Sequence, residues 1–354
     1  MFTLLAMRSA AQSLHVNTIS SLPSVLTESS GLTSFGNIFW SFNDSDGKVE
    51  IHSFDSLGNY LRTVELLNSN NVDWEEISCN ETGDLIIGDF GNNNNDRRNL
   101  KIYWIPEFQT ISSNKVNTKS LSFEYGHQSG FPPGDAFKNF DMEAMIYKND
   151  SIHLFSKNRT NPFSGYCYQY TLPLSEGHYI IYPRDSFVIG TNSSFNDWVT
   201  AAALSPNGDK LVLLNHGKIN LFYDYTGTDF FKGKRIVYTL DHYSQKEGIC
   251  FNSQQNLFLT DERVFGNFGN LYRIELPVVN STESFSQTKI SAALIAQNEL
   301  TTNFSGTFDI YSVSGIFICT LEVNEAEPLD ISFLAGGIYL MKGRNNSMMK
   351  LIKF

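Results

Sequence analysis

Three short polar triplets recur ahead of apolar runs: Asp73-Trp74-Glu75, Asp141-Met142-Glu143 and Gln245-Lys246-Glu247. Each ends on a glutamate, and each is followed by residues that read as a β-strand, such as Ile77 to Cys79 after the first. If the fold brings the starts of these strands together, the carboxylates repel one another. They stay ionised only where a cation or an arginine neutralises them. Calcium takes about six to eight oxygens in loose geometry, which suits ligands drawn from separate strands. The other reading is structural, each acid capping turn amides or meeting Arg97, Arg159 or Arg263. A paired set of acids could also divide into a proton donor and a base.

The elements that carry the triplets explain why they should converge. After each one comes a strand, a polar turn and a second strand ending in polar residues, as in Asp73 to Asp89. That is the pattern of a β-hairpin. Two further copies open on Glu28-Ser29-Ser30 and Thr200-Ala201-Ala202, where the final acid is missing. The third residues stand at 30, 75, 143, 202 and 247, at spacings of 45, 68, 59 and 45 residues. Each interval holds further strands, such as 100–106 and 119–125. Repeats of this length with several strands each predict an all-β chain, a β-propeller with five blades visible and a sixth possible in a long interval. After the last hairpin only 271–277 reads as a strand, so the segment near residue 16 is expected to supply the outer strand and close the ring.

Composition agrees. Aromatic residues make up 14% of the chain, with 28 Phe and 16 Tyr, and long helical periodicity is nearly absent. The 354 residues carry a formal net charge of -11 with no basic run, which argues against nucleic acid or an anionic membrane as partner. No stretch reaches the ~18 apolar residues of a membrane span. The seven histidines show no metal-ligand spacing, and His153 and His216 read as satisfied structural histidines in or beside apolar strands. There is no Gly-x-Ser-x-Gly elbow. Asn43 to Gly47 contains Asp-x-Asp-Gly but no glutamate at the twelfth position, so it reads as a hairpin turn. Of Cys79, Cys167, Cys250 and Cys319, Cys79 and Cys250 fall at nearly matching places on inner strands of different blades and are expected to be free and buried, and Cys319 in the tail has no obvious partner.

Two sets of residues carry a resemblance. Ser30, Gly31, Leu32, Trp40, Asn43, Asp44 and Ser45, then Asp73 to Glu107, then Asp141 to Met145, resemble a family of exported bacterial propeller proteins. That family is distantly similar to phytase-like and gluconolactonase-like propellers, and the resemblance covers roughly residues 25–277. In such relatives the acidic triplets line one mouth of the central channel and can hold calcium. Carried over, the metal ligands would be Asp73, Glu75, Asp141, Glu143 and Glu247, with Asp89 as an extra ligand. The implied function is binding of a small-molecule or polymeric ligand at an acidic, calcium-occupied channel mouth. The alternative is a calcium-dependent hydrolase of phosphoester or lactone type, with Glu75, Glu143 and Glu247 shared between metal and chemistry.

The tail has a different grammar. Ile310, Tyr311 and Gly315, then Leu329, Asp330, Ile331 and Leu334, then Gly336, Gly337, Ile338 and Tyr339, and finally Lys350 and Lys353, resemble the C-terminal sorting domain of the type IX (Por) secretion system of Bacteroidetes. Those domains are small immunoglobulin-like β-sandwiches. The usual Pro-Asn-Pro upstream has no counterpart. The resemblance implies the type IX machinery as partner and passage through the periplasm to the cell surface or medium. Phe2 to Met7 and Ser9-Ala10-Ala11-Gln12 read as the remnant of an export signal. The expected layout is thus a signal remnant (1–12), a propeller (13–277), a linker (278–290) and a sorting domain (291–354), in a monomer.

Overall fold

Apolar strands buried on both faces alternate with strands buried on one face, and that difference sets their order from axis to rim. Leu85–Asp89 is enclosed along its whole length and Trp74–Cys79 along its first four residues, whereas Lys119–Tyr125 alternates between buried and more exposed residues. Unbroken apolar runs belong inside and alternating ones at a solvated edge. The computed structural model describes residues 12–45, 48–190, 194–262, 269–277, 279, 293–302, 304–312, 317–343 and 348–353. The expected signal remnant up to Ala11, the linker at 278 and 280–290, Arg263 and Gly315 lie outside the described residues.

Two compact units are present, Met1–Val279 and Asn280–Phe354. The first is a five-bladed propeller. Its innermost strands, in blade order, are Ser29–Phe35, Trp74–Cys79, Asp141–Lys148, Ala201–Leu204 and Lys246–Phe251. Each heads its own sheet of four or five strands, antiparallel through its first four in chain order on blades one to four. The long intervals are filled by edge strands as well as loops. Lys115–Asn117 pairs in parallel with Tyr60–Leu67 on blade one, and Gly177–Ile181 with Lys119–Tyr125 on blade two. The sheets leave no sixth blade among the described residues. The ring closes as anticipated: Val16–Ser21 is the outer strand of blade five, antiparallel to Asn270–Ile274. Just before it, Gln12–Leu14 lies in parallel on Lys234–Leu240 of blade four. The corner between the two is fixed by Asp241, whose Oδ1 accepts the Val16 amide at 2.9 Å.

An apolar cluster fills each of the five gaps between neighbouring blades, which is where the many Phe side chains go. Trp40, Phe42 and Val64 meet Trp74, Ile77 and Ile87 between blades one and two. Leu32, Phe39 and Phe54 meet Phe258 and Leu271 between blades one and five. Aromatic rings bury large areas and pack edge to face, as Phe42 does on Trp74 at 5.3 Å.

The second unit pairs a five-stranded sheet with a two-stranded one, Glu299–Leu300 on Leu329–Asp330. Its core includes Phe308, Ile310, Leu321, Met341 and Leu351. Most of the residues matched to a sorting domain gather around one turn, 331–336. Asp330 Oδ1 accepts the Ser332 amide at 2.8 Å, Tyr339 donates its hydroxyl to Ala335 O at 2.7 Å, and Lys353 Nζ donates to the Ser332 and Leu334 carbonyls. Gly336 and Gly337 lead from that turn into the strand Gly337–Gly343. Lys350 stands apart, paired with Leu340 in the sheet. Among the described residues no helix is long and apolar enough to cross a membrane.

Candidate functional site

The five innermost strands begin at one mouth of the channel, and their second strands, running back, end there. In three blades the ladder is irregular at the triplet. The register shifts between Trp74 and Glu76, between Met142 and Ala144, and between Lys246 and Gly248. Glu75, Glu143 and Glu247 are therefore the extra residues of β-bulges, which re-aim a side chain that strict alternation would send elsewhere. Blade one shifts register between Ser30 and Thr33. Blade four, where the triplet has no acid, pairs regularly from Ala201 onward.

Three of the six predicted ligands are matched by protein cations. Asp89 Oδ1 receives Arg97 Nη2 at 2.8 Å and the Asp73 amide at 3.1 Å. Asp141 receives Arg159 Nε at 2.6 Å and the Asn92 amide at 2.7 Å. Glu143 is bonded by Lys157 Nζ and approached by Arg159 Nη2 at 3.3 Å. Burial alone would lower the Lys157 pKa, but the carboxylates, Glu143 foremost, outweigh it and hold the ammonium charged. Trp198 lies over both cations, its ring 4.4 Å from the Arg159 guanidinium carbon and 5.3 Å from Lys157 Nζ. For these three acids the structural reading of the sequence describes the contacts.

Asp73 and Glu75 are different. They meet Asp44, and the three offer one oxygen each, all within 4.8 Å of one another. Arg97, Lys157 and Arg159 are committed to the other acids. Glu75 is 3% exposed and makes a single long contact with Ser30 Oγ at 3.4 Å. Asp44 Oδ1 is buried without a hydrogen-bond partner. Burial, then the charges of Asp73 and Glu247, push Asp44 up to about 7. Burial, then Asp141, push Asp73 up to about 6, and burial with Glu143 beside it raises Glu75 well above the usual carboxylate range. Gly91 forms the wall: a β-carbon there would stand 2.2 Å from Glu75 Oε1 and 2.5 Å from Asp73 Oδ2. All-oxygen donors of this kind fit calcium, and the group could hold a metal ion.

Glu247 stands on the blade-five side. Its Oε1 is 3.9 Å from His216 Nε2. Beside it, Glu262 is pushed up to about 9 by burial and the Glu247 charge, and Gln245 Nε2 donates to its Oε2. Sequence reasoning overlooked Asp44, Lys157, His216 and Glu262 as members of the mouth. All four lie at or just past the ends of second strands (Ile38–Asn43, Ser151–Lys157, Lys210–Asn215 and Leu257–Asp261). An antiparallel partner ends beside the start of the first strand, so this position was the available signal.

Deeper in the channel, Glu76 is fully buried and braces opposite blades. Its Oε2 accepts the Ala202 amide of blade four at 2.9 Å and its Oε1 the Ile77 amide at 3.0 Å. The Leu32 and Met145 amides also act on it. Gly31, at φ +81, allows this crowding, since a β-carbon there would stand 3.0 Å from the Glu76 Cα.

No protein-family model and no curated protein matches the chain in sequence. Among solved structures it is similar to the PQQ-bound aldose sugar dehydrogenase of Streptomyces coelicolor, at 7% identity and TM-score 0.47 over 75% of this chain and 99% of that one. It is also similar to a gluconolactonase of Xanthomonas campestris, at 9% identity and TM-score 0.39 over 74% and 89%. A chain of a nidogen/laminin complex aligns at 10% identity and TM-score 0.39 over 70% and 86%.

Proposed function

We propose that the chain is an exported binding protein whose propeller takes calcium on Asp44, Asp73 and Glu75 and presents it, at the channel mouth, to a small-molecule or polymeric ligand. The observation that carries this reading is the trio of carboxylates, Glu75 buried and Asp44 and Asp73 half-buried, with oxygens within 4.8 Å and the nearby cations bonded to other acids. Asp89, Asp141 and Glu143 are then supports: they fix Arg97, Arg159 and Lys157 and so shape the wall. Glu247 faces His216 and lies outside the calcium set.

Calcium would be held by Asp44, Asp73 and Glu75 and would supply a positive centre for oxygens of the ligand. The chain's own part is to keep the three oxygens together, through the Glu75 bulge and the close approach of Gly91. Delivery to the surface or medium through the type IX machinery rests on the tail residues Asp330, Gly336, Gly337, Tyr339 and Lys353, which fold one turn together.

Thermal unfolding of the full chain with chelator, then with added calcium, tests the site. Calcium should raise Tm in the wild type and not in Glu75→Gln; at a hundredfold excess over Kd the gain is about 2.7 kcal/mol. No calcium effect on the wild type would overturn the reading. Turnover of a phosphate ester or lactone that chelator abolishes and calcium restores would replace the binding role with the hydrolase. For export, replacing Gly336 and Gly337 by bulky residues should retain the protein in the periplasm of a type IX-competent host; undiminished release would refute that part.

A further inference from the structure

The two sides of the charged mouth differ in chemistry. Blades one to three bring the carboxylate trio and the ion pairs, whereas blade four opens on Thr200-Ala201-Ala202 and brings no acid. In that sector the surface is aromatic. Phe195, 50% exposed, and Tyr243, 53% exposed, stand with ring centroids 6.1 Å apart and planes tilted by 42°. Both border the His216 ring, at 4.8 and 6.4 Å, and Phe195 meets Trp198 at 6.1 Å.

Neither ring is a loose surface side chain. Phe195 belongs to the short helix Ser194–Asp197, which is tied down where buried Asp197 accepts Lys218 Nζ at 2.7 Å. Tyr243 lies against Gly217, where a β-carbon would stand 2.9 Å from the tyrosine Cδ2. Rings fixed in place with half their area in water form a contact surface, and covering them costs little rotamer freedom.

Charge decides what covers them. Arg97, Arg159 and Lys157 are matched by Asp89, Asp141 and Glu143. A calcium ion would bring two positive charges to three carboxylates. Glu247 adds a further acid between the two sides, its charge acting on Asp44 and its Oε1 lying 3.9 Å from His216 Nε2. Such a mouth repels anions, so phosphate esters and acidic sugars are disfavoured. An organic cation has no lone pair to give the metal. Calcium takes about six to eight oxygens, so three carboxylates leave room for neutral oxygen donors. A neutral molecule with adjacent hydroxyls and an apolar C–H face suits both sides, and Glu247 can accept a hydrogen bond from a further hydroxyl.

We propose that the ligand of this mouth is a neutral glycan, its adjacent hydroxyls completing the calcium shell and the C–H face of a sugar ring lying on Phe195 and Tyr243. The inference rests on the calcium reading and narrows its ligand to one class.

The full chain is screened on immobilised neutral glycans and on sulfated and phosphorylated ones, in calcium and in chelator, and the strongest neutral hit is titrated by calorimetry. Neutral glycans should be captured in calcium and released by chelator. Phe195→Ala and Tyr243→Ala should each weaken the hit about tenfold, the worth of one stacked ring, and keep the calcium gain in Tm. That retained gain also shows the variants to be folded. Methylating one of the adjacent hydroxyls of the hit should abolish binding. A wild-type protein whose Tm rises with calcium but which captures no neutral glycan would overturn the proposal and leave the calcium reading intact. Capture confined to anionic glycans, capture that persists in chelator, or full affinity in both ring variants would overturn it as well. Absence of the calcium gain in Tm would remove the calcium reading and this one with it.

Discussion

Where the five innermost strands begin, the channel is ringed by carboxylates, two arginines and a lysine; where the same strands finish, it opens into a cavity of 320 Å³ lined by Thr33, Ser34, Ser78, Cys79 and Asn252 among apolar side chains. The strands are shared, so strand type cannot account for the contrast. The ladders can. Bulges sit at the first end, at Glu75, Glu143 and Glu247, and the pairing is regular toward the second. A bulge lets a buried polar residue turn out of the blade and into the mouth, and regular alternation leaves small side chains facing the axis. At the second end, burial raises the Cys79 and Cys250 thiol pKa values and favours the neutral thiols. Glu76 lies between the two ends and ties blades two and four together. The ion pairs of the channel thus gather at one mouth, and Glu81 is the charged residue lining the cavity at the other.

The strongest way to break this contrast is to remove a cation from the charged end. Lys157→Met leaves Glu143 with Arg159 alone, and breaking a buried pair costs about 3–5 kcal/mol. Equilibrium denaturation should show it; a cost near zero would mean that the mouth is not electrostatically bound together. Next comes the divider. Glu76→Ala strips acceptors from the Ile77 and Ala202 amides, and two unsatisfied buried donors cost about 3 kcal/mol. The same measurement applies, and a variant as stable as wild type would show the brace to be idle.

A third prediction concerns pH. Without calcium, Asp44 at about 7 and Asp73 at about 6 stand above their ordinary values, so the folded state favours their protonated forms. Their contribution to stability is complete below about pH 4 and is lost as pH rises through 6 to 7. Calcium binds the ionised forms and should offset that loss. Tm in chelator should therefore decline from pH 5 to 8 more steeply than Tm in calcium. Calorimetry in buffers of different ionisation enthalpy should register protons released near pH 6.5 on calcium binding. Equal slopes and no proton release would separate these two acids from the ion. The smallest effect is expected at the second end. Cys250→Ala should cost about 1 kcal/mol through lost packing against Leu32 and Phe258 and leave the calcium response untouched. A changed calcium response would show that the two mouths communicate.

The repeated hairpins, the five innermost strands and the closing role of the segment near residue 16 were legible because apolar period and turn residues are local properties of the chain. That the triplets gather at one mouth was legible for the same reason: a residue at the start of an innermost strand must lie near the axis. Which acids would share an oxygen cluster was not legible. Asp44 read as a turn residue, and its nearness to Asp73 depends on two blades packing side by side. His216 read as a satisfied core histidine, yet its nitrogens face Glu247 from another blade. The sequence by itself determined the strands, their order and the end of the channel where charge collects. The tertiary structure decided which carboxylates meet cations and which meet each other, because ion pairing falls off over a few ångströms and those distances are set by bulges and blade packing rather than by spacing along the chain.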